Sequence, residues 1–170
     1  MEMHNTGRPY TVVVRVDGTR EGFAAAEYAC SLCVKLKVKY RLIFLYVVAL
    51  YRRTGLGLIN RQTEQLNADI REDAEGAMTK CKQFLSRFES LVEYEWISVK
   101  DEGSVGPIVV SFIEDGLHTT VDLVVVGRTA ESAFKSMVAG HVSDYLLQRL
   151  RCPVMVVKDE YDVSDDERDK

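Results

Sequence analysis

A run of valines that does not alternate restricts this chain more than any other feature. Thr11 to Val16 reads Thr-Val-Val-Val-Arg-Val, with apolar side chains on consecutive positions. A strand with one face in water alternates apolar and polar residues, whereas a strand covered on both faces has no reason to. The run therefore predicts a parallel strand buried between two helical layers. Further strands are predicted at Tyr40 to Val48, at Val121 to Val126, and at Val154 to Val157 after Pro153. Leu91 to Val99 alternates only loosely and contains Tyr94 and Trp96, which suits a strand nearer the sheet edge.

Helical periodicity fills the intervals. From Arg20 to Leu36 the residues Ala26, Ala29, Cys30, Cys33 and Leu36 fall on one stripe of mostly small side chains, which lets a helix lie close to a sheet. From about Asn60 to Glu89, Leu66, Ile70, Ala74, Ala77, Cys81, Phe84 and Phe88 recur every three or four residues and predict one long helix. Gly106-Pro107 opens a third helix, with proline in the first turn where a missing N–H costs nothing. Gly116 followed by Leu117 reads as its glycine C-cap. Val142 to Leu150 is the fourth. Five strands alternating with four helices predict a doubly wound, mainly parallel α/β sheet with helices on both faces.

Charge narrows the partners. The chain of 170 residues has a formal net charge of -4, and the stretch from Lys158 to Lys170 alone, with seven acids and three bases, accounts for all of it. The rest is balanced at 19 acids and 19 bases, which argues against a nucleic-acid groove or an anionic membrane surface. Residues 159–170 read as an acidic, disordered tail, residues 1–9 as a flexible N-terminus, and residues 10–158 as one domain. No apolar run approaches the roughly 18–20 residues of a membrane-crossing helix, and Met1 to Pro9 is too polar for a signal peptide. Together with four cysteines better suited to reduced thiols than to cross-links, this predicts a cytoplasmic protein.

In a doubly wound sheet, ligands bind beyond the carboxyl ends of the strands, where the winding reverses. The residues there are Asp17, Gly18 and Thr19, then Val48 and Ala49, then Gly127 onward. Gly127-Arg128-Thr129-Ala130 is separated by nine residues from Gly140-His141-Val142-Ser143. Both ends offer bare backbone N–H groups, and a helix N-terminus favours an anion, so the pattern suits a phosphate. Arg128 and Lys135 lie between, and Asp17 on the neighbouring strand can accept hydrogen bonds from a ribose. The plainer alternative is that Gly127 and Gly140 are only turn and cap glycines.

These pieces together resemble the universal stress protein family. The likeness runs from Tyr10 to Lys158 through Val16-Asp17-Gly18, Gly106-Pro107, the segment Val121 to Gly127, Gly140-His141-Val142-Ser143, and Cys152 to Val157. It implies strand order 3-2-1-4-5 and a homodimer paired through the last strand, Val154 to Val157. It also implies ATP or a related adenine nucleotide, with or without Mg, and a role as a sensor or regulator of the stress response. Asp17 would then face the ribose, the backbone around Val48 the adenine, and Gly127, Arg128, Ala130, Gly140, His141, Val142 and Ser143 the phosphates. Two positions depart from the family's pattern: Ala130 replaces its middle glycine, and His141 stands where a hydroxyl residue is usual. Alanine retains its N–H and obstructs only where positive φ or van der Waals contact is required. Histidine can donate to a phosphate, but its ring is bulkier than a hydroxyl. A member that has lost the nucleotide and serves as a dimeric scaffold is the second reading these departures support.

Other chemistry is weakly signalled. Cys30-Ser31-Leu32-Cys33 has redox spacing, yet it lies inside a helix on the alanine stripe and not at the N-terminus that would lower a thiol pKa. Cys81, Cys152, His4, His118 and His141 supply no second closely spaced pair, so no structural metal is expected. His118, after a helix end, reads as a surface residue or a partner of the helix's C-terminal dipole. Gly55-Leu56-Gly57 lacks the rest of a dinucleotide fingerprint, and no phosphate-gripping lysine loop or nucleophile elbow occurs. No catalytic residue is predicted. Slow ATP hydrolysis, with only Asp17 or His141 to activate water, ranks last, and Ser164 before Asp165-Asp166-Glu167 reads as solvated tail.

Overall fold

The computed structural model describes residues 7–53, 57–128 and 142–158, with residues 57–59 described by their backbone alone. Five strands, β1 (Tyr10–Val16), β2 (Tyr40–Leu50), β3 (Tyr94–Glu102), β4 (Leu123–Gly127) and β5 (Val154–Val157), alternate with α1 (Arg20–Lys35), α2 (Gly57–Leu85), α3 (Val105–Ser111) and α4 (Val142–Arg149). All neighbouring strands are parallel, in the order β3-β2-β1-β4-β5, as the sequence predicts. The winding reverses between β1 and β4.

The unalternated valines are buried on both sides. Val12, Val14 and Val16 join Leu42, Phe44 and Tyr46 under α1 and α2, whereas Val13, Ile43, Leu45, Val124 and Val126 form a second core under α3 and α4. The small-residue stripe of α1 packs as expected, with Ala25, Ala26, Ala29, Cys30 and Cys33 at most 1% exposed. Thr19 caps that helix, its hydroxyl accepting from Gly22 N–H at 3.1 Å. β3 is an edge strand, held to β2 by register from Leu42–Tyr94 to Leu50–Glu102. Phe44 meets Tyr94 edge-on at 5.2 Å, and Phe23 stacks on Phe84 at 4.4 Å.

Boundaries differ from the sequence reading in instructive places. β2 runs two residues longer than expected, to Leu50, and β3 is shifted by three, spanning Tyr94–Glu102 where Leu91 to Val99 was expected, because the two strands pair with each other beyond the apolar stretch. β4 begins two residues late, at Leu123. Asp122 is spent instead on a clamp, its carboxylate accepting two bonds from Arg8 at 2.6 Å each and one from Thr11 N–H at 2.8 Å. The third helix does not end in a glycine cap. It widens into a π turn over Phe112–Gly116, Leu117 N–H donating to Phe112 O at 3.0 Å, and the left-handed residue is His118 at φ 47°. Histidine tolerates that conformation better than the β-branched Thr119 and Thr120 that follow would.

Candidate ligand cleft

At the end of β1 the chain must turn sharply into α1. Gly18 takes φ +79°, and a Cβ there would sit 3.3 Å from Ala77 of α2, so glycine serves both the turn and the close approach. Asp17 folds back over this corner. Its Oδ1 accepts from Thr19 N–H at 3.0 Å and from the Thr19 hydroxyl at 2.5 Å, and its Oδ2 pairs with Arg15 Nη1 at 2.8 Å. The carboxylate proposed to meet a ribose is thus already engaged, with 18% of its side chain exposed.

Beyond β2 and β3 the sheet opens into a cavity of about 710 Å³. Its floor is Ala49 and Leu50, its walls Ile70 of α2 and Gly103 to Pro107 at the start of α3, and its far side Val142, Asp144, Tyr145 and Gln148 of α4. Most of this lining is apolar, with Arg52, Ser104, Asp144 and Gln148 as polar groups, the pattern of a small-molecule site. Two features fix its shape. Asn67, 4% exposed on α2, grips the strand continuation in both directions: Tyr51 N–H donates to its Oδ1 at 2.8 Å, and its Nδ2 donates to Tyr51 O at 3.0 Å. The side chain thus stands in for a missing strand partner. Gly106 lets the Tyr145 ring lie flat against α3, since a Cβ there would fall 2.7 Å from Tyr145 Cδ1.

Of the described site residues singled out from sequence, only Val142 lines this cavity, and Asp17, Val48, Gly127, Arg128 and Ser143 do not. Val48, 4% exposed, lies just beneath its floor on β2. Ser143 is in the first turn of α4 but buried, at 4% exposure. Gly127 lies in β4 itself, not in a turn, and Arg128 beyond it is exposed. A Cβ on Gly127 would collide with the Glu21 backbone and lie 2.9 Å from Glu21 Cβ, so the glycine admits the first turn of α1. Ala130, Gly140 and His141 lie outside the described residues, as does Lys135. Sequence reasoning did not find Tyr51, Asn67, Asp144 or Tyr145. The unusual sequence Gly106-Pro107 was the one available signal for the α3 wall.

The cysteines stay out of this chemistry. Burial pushes Cys30 up to about 12 and Cys33 and Cys81 each up to about 11, so at neutral pH they are protonated core thiols. Among the described residues no cluster of histidine, cysteine or carboxylate side chains could hold a metal ion, and no helix is long and apolar enough to cross a membrane.

Fold and cleft together define a doubly wound α/β domain whose cavity sits at the carboxyl ends of its strands. Its sequence matches the universal stress protein family over residues 10–158, and the chain belongs to that family. It is 24% identical over 147 residues to a universal stress protein of Methanocaldococcus jannaschii, covering 86% of this chain and 81% of that one. Its fold is similar to that of the universal stress protein UspA from Lactobacillus plantarum, with TM-score 0.66 and 21% identity, covering 88% of this chain and 98% of that one. It is also similar to a universal stress protein solved in complex with cAMP, with TM-score 0.56 and 16% identity, covering 87% and 96%. At such identities the likeness is one of fold.

Proposed function

We propose that this protein is an adenine-nucleotide-binding regulatory module of the cytoplasm, working as a homodimer paired through β5 and changing its partner surface when the cleft fills. The observation that carries the reading is the cavity of about 710 Å³ beyond the carboxyl ends of β2 and β3, walled by α3 and bordered by the first turn of α4. Its apolar walls suit a purine, and the N-terminus of α4 suits a phosphate. The relative solved with cAMP shows that a domain of this fold can take an adenine nucleotide. Gly127, Arg128, Ala130, Gly140, His141, Val142 and Ser143 would hold the phosphates, Val48 the base and Asp17 the ribose. Purified protein released from any endogenous nucleotide should give saturable heat with ATP, ADP or AMP in calorimetry, and mass spectrometry of the released material should show an adenine nucleotide. No heat and no thermal shift at millimolar nucleotide would end the reading.

The scaffold reading has one observation in its favour. Asp144 places a carboxylate in the first turn of α4, lining the cavity where a phosphate would lie, and Asp17 is already paired. Under that reading, sedimentation gives a dimer whose stability does not respond to nucleotide.

A further inference from the structure

Just past the end of β2 the chain still follows a fixed path. Gly103 N–H donates to Leu50 O at 2.9 Å, and Asn67 of α2 holds both the N–H and the carbonyl of Tyr51. Arg52 is therefore mounted on an anchored main chain, although it lies beyond the sheet. It lines the cavity and is exposed. Its neighbour Arg53 has an acid within reach, Nη2 lying 3.9 Å from Glu64 Oε1 on α2. Arg52 has no hydrogen bond or ion pair among the described residues, not even with Asp144 across the cavity.

Charge then distinguishes the two sides of the cavity. Among the described lining residues Arg52 is the one cation and Asp144 the one anion. Asp144 lies in the first turn of α4. A helix N-terminus carries the equivalent of about half a positive charge, so a full negative charge in its first turn opposes the attraction it offers to an anion. A phosphate lying by Val142 therefore needs a cation from elsewhere on the lining, and Arg52 is the residue that has one to give. A guanidinium presents a planar fork of donors that can meet two phosphate oxygens at once, and an unpaired one gives up no partner to do so.

We propose that Arg52 is the phosphate-pairing residue of the cleft, so that it selects an adenine nucleotide over the bare nucleoside. The inference rests on the nucleotide reading above. Arg52 supplies the charge, Asn67 holds the main chain that leads to it, and the apolar walls around Ile70 and Tyr145 take the base.

The test is calorimetric titration of wild type, Arg52→Met and Arg52→Lys with adenosine and with adenosine 5′-monophosphate, at low and at high salt. In wild type at low salt the monophosphate should bind about tenfold more tightly than adenosine, the worth of a hydrogen-bonded contact with a charged group. High salt should cut that advantage to about threefold, because an exposed pair is screened. Arg52→Met should bind adenosine as wild type does, and the monophosphate no more tightly than adenosine. Arg52→Lys keeps the charge but loses the fork, and should retain an advantage of about threefold. A wild type that binds the two ligands equally overturns the proposal, and so does an Arg52→Met that keeps the wild-type preference; in both cases the monophosphate still binds and the nucleotide reading stands. Equal weakening of both ligands in Arg52→Met would assign the residue to the shape of the cleft and overturn its pairing role. The salt series on wild type reads the charge without any substitution, so an advantage that ignores salt sinks the idea even if a variant fails to fold. No heat with either ligand in wild type removes the nucleotide reading and this inference with it.

Discussion

On one side of the sheet α1 and α2 bring 16 and 29 residues against Val14, Phe44 and Tyr46; on the other, α3, the π turn and α4 bring 7, 5 and 8 against Val13, Ile43, Leu45 and Val126. The aromatic pairs Phe23–Phe84, Phe44–Tyr94 and Tyr46–Trp96 all lie on the first side. The cavity opens along the second. Strands buried on both faces need two covers, but the covers need not be equal. The thick one supplies most of the buried apolar surface, and the thin one leaves room for a ligand.

The largest effect expected from this asymmetry is at the centre of the thick face. Phe44 is fully buried, and Phe44→Ala should cost about 3–5 kcal/mol in chemical denaturation, through lost transfer energy and the hole left behind. Leu146 is equally buried on α4, but it belongs to an eight-residue helix beside a cavity, which can settle after truncation. Leu146→Ala should therefore cost about 2–3 kcal/mol, the low part of the range for such changes. Equal losses at the two positions would show that the faces are energetically alike.

A smaller loss of stability but a larger loss of binding is expected at Gly106. Valine there drives its Cβ to 2.7 Å from the Tyr145 ring, so the ring must swing away from α3, into the cavity it lines. Overpacking of this kind costs about 1–3 kcal/mol, and nucleotide affinity should fall at least about tenfold. Gly106→Val with normal affinity would show that the α3–α4 contact does not shape the cleft.

How much of this was legible follows from where each signal is written. Double-sided burial leaves its mark on consecutive residues, so Thr11 to Val16 announced a parallel strand, and the stripe of Ala26, Ala29, Cys30 and Cys33 announced a helix lying close to it. The π turn was hidden because Gly116 before Leu117 mimics a cap, while the residue that took the left-handed conformation was His118. Gly127 was visible as a glycine, but its reason was not, since the backbone it admits belongs to Glu21 on α1. A cavity residue such as Ile70 read as ordinary core, because periodicity cannot tell an apolar side chain facing a gap from one facing another side chain.

Thiol labelling distinguishes the faces without altering stability. Cys30, Cys33 and Cys81 are buried under α1 and α2, while Cys152 is half-buried against the other core, its thiol also raised by burial. A maleimide at pH 8 should therefore modify Cys152 first, and the other three only as fast as the thick face opens. Simultaneous labelling would mean that both covers open together.

The smallest effect belongs to a contact outside both helical layers. Asp122 joins the amino ends of β4 and β1, and the Arg8 guanidinium, followed by the Thr11 N–H, holds its carboxyl below the ordinary carboxylate range. A carboxyl whose pKa is lower when folded stabilises the fold above its unfolded pKa, and that contribution is lost as pH falls through the folded value. Asp122→Asn should therefore lower the urea midpoint slightly at pH 7, and the gap from wild type should close below about pH 4. Since Asp122 is packed in neither cover, the order of thiol labelling and the affinity for nucleotide should be those of wild type. A changed labelling order would show that the clamp between β1 and β4 transmits to the helices, and that the two faces are coupled through the strands they share.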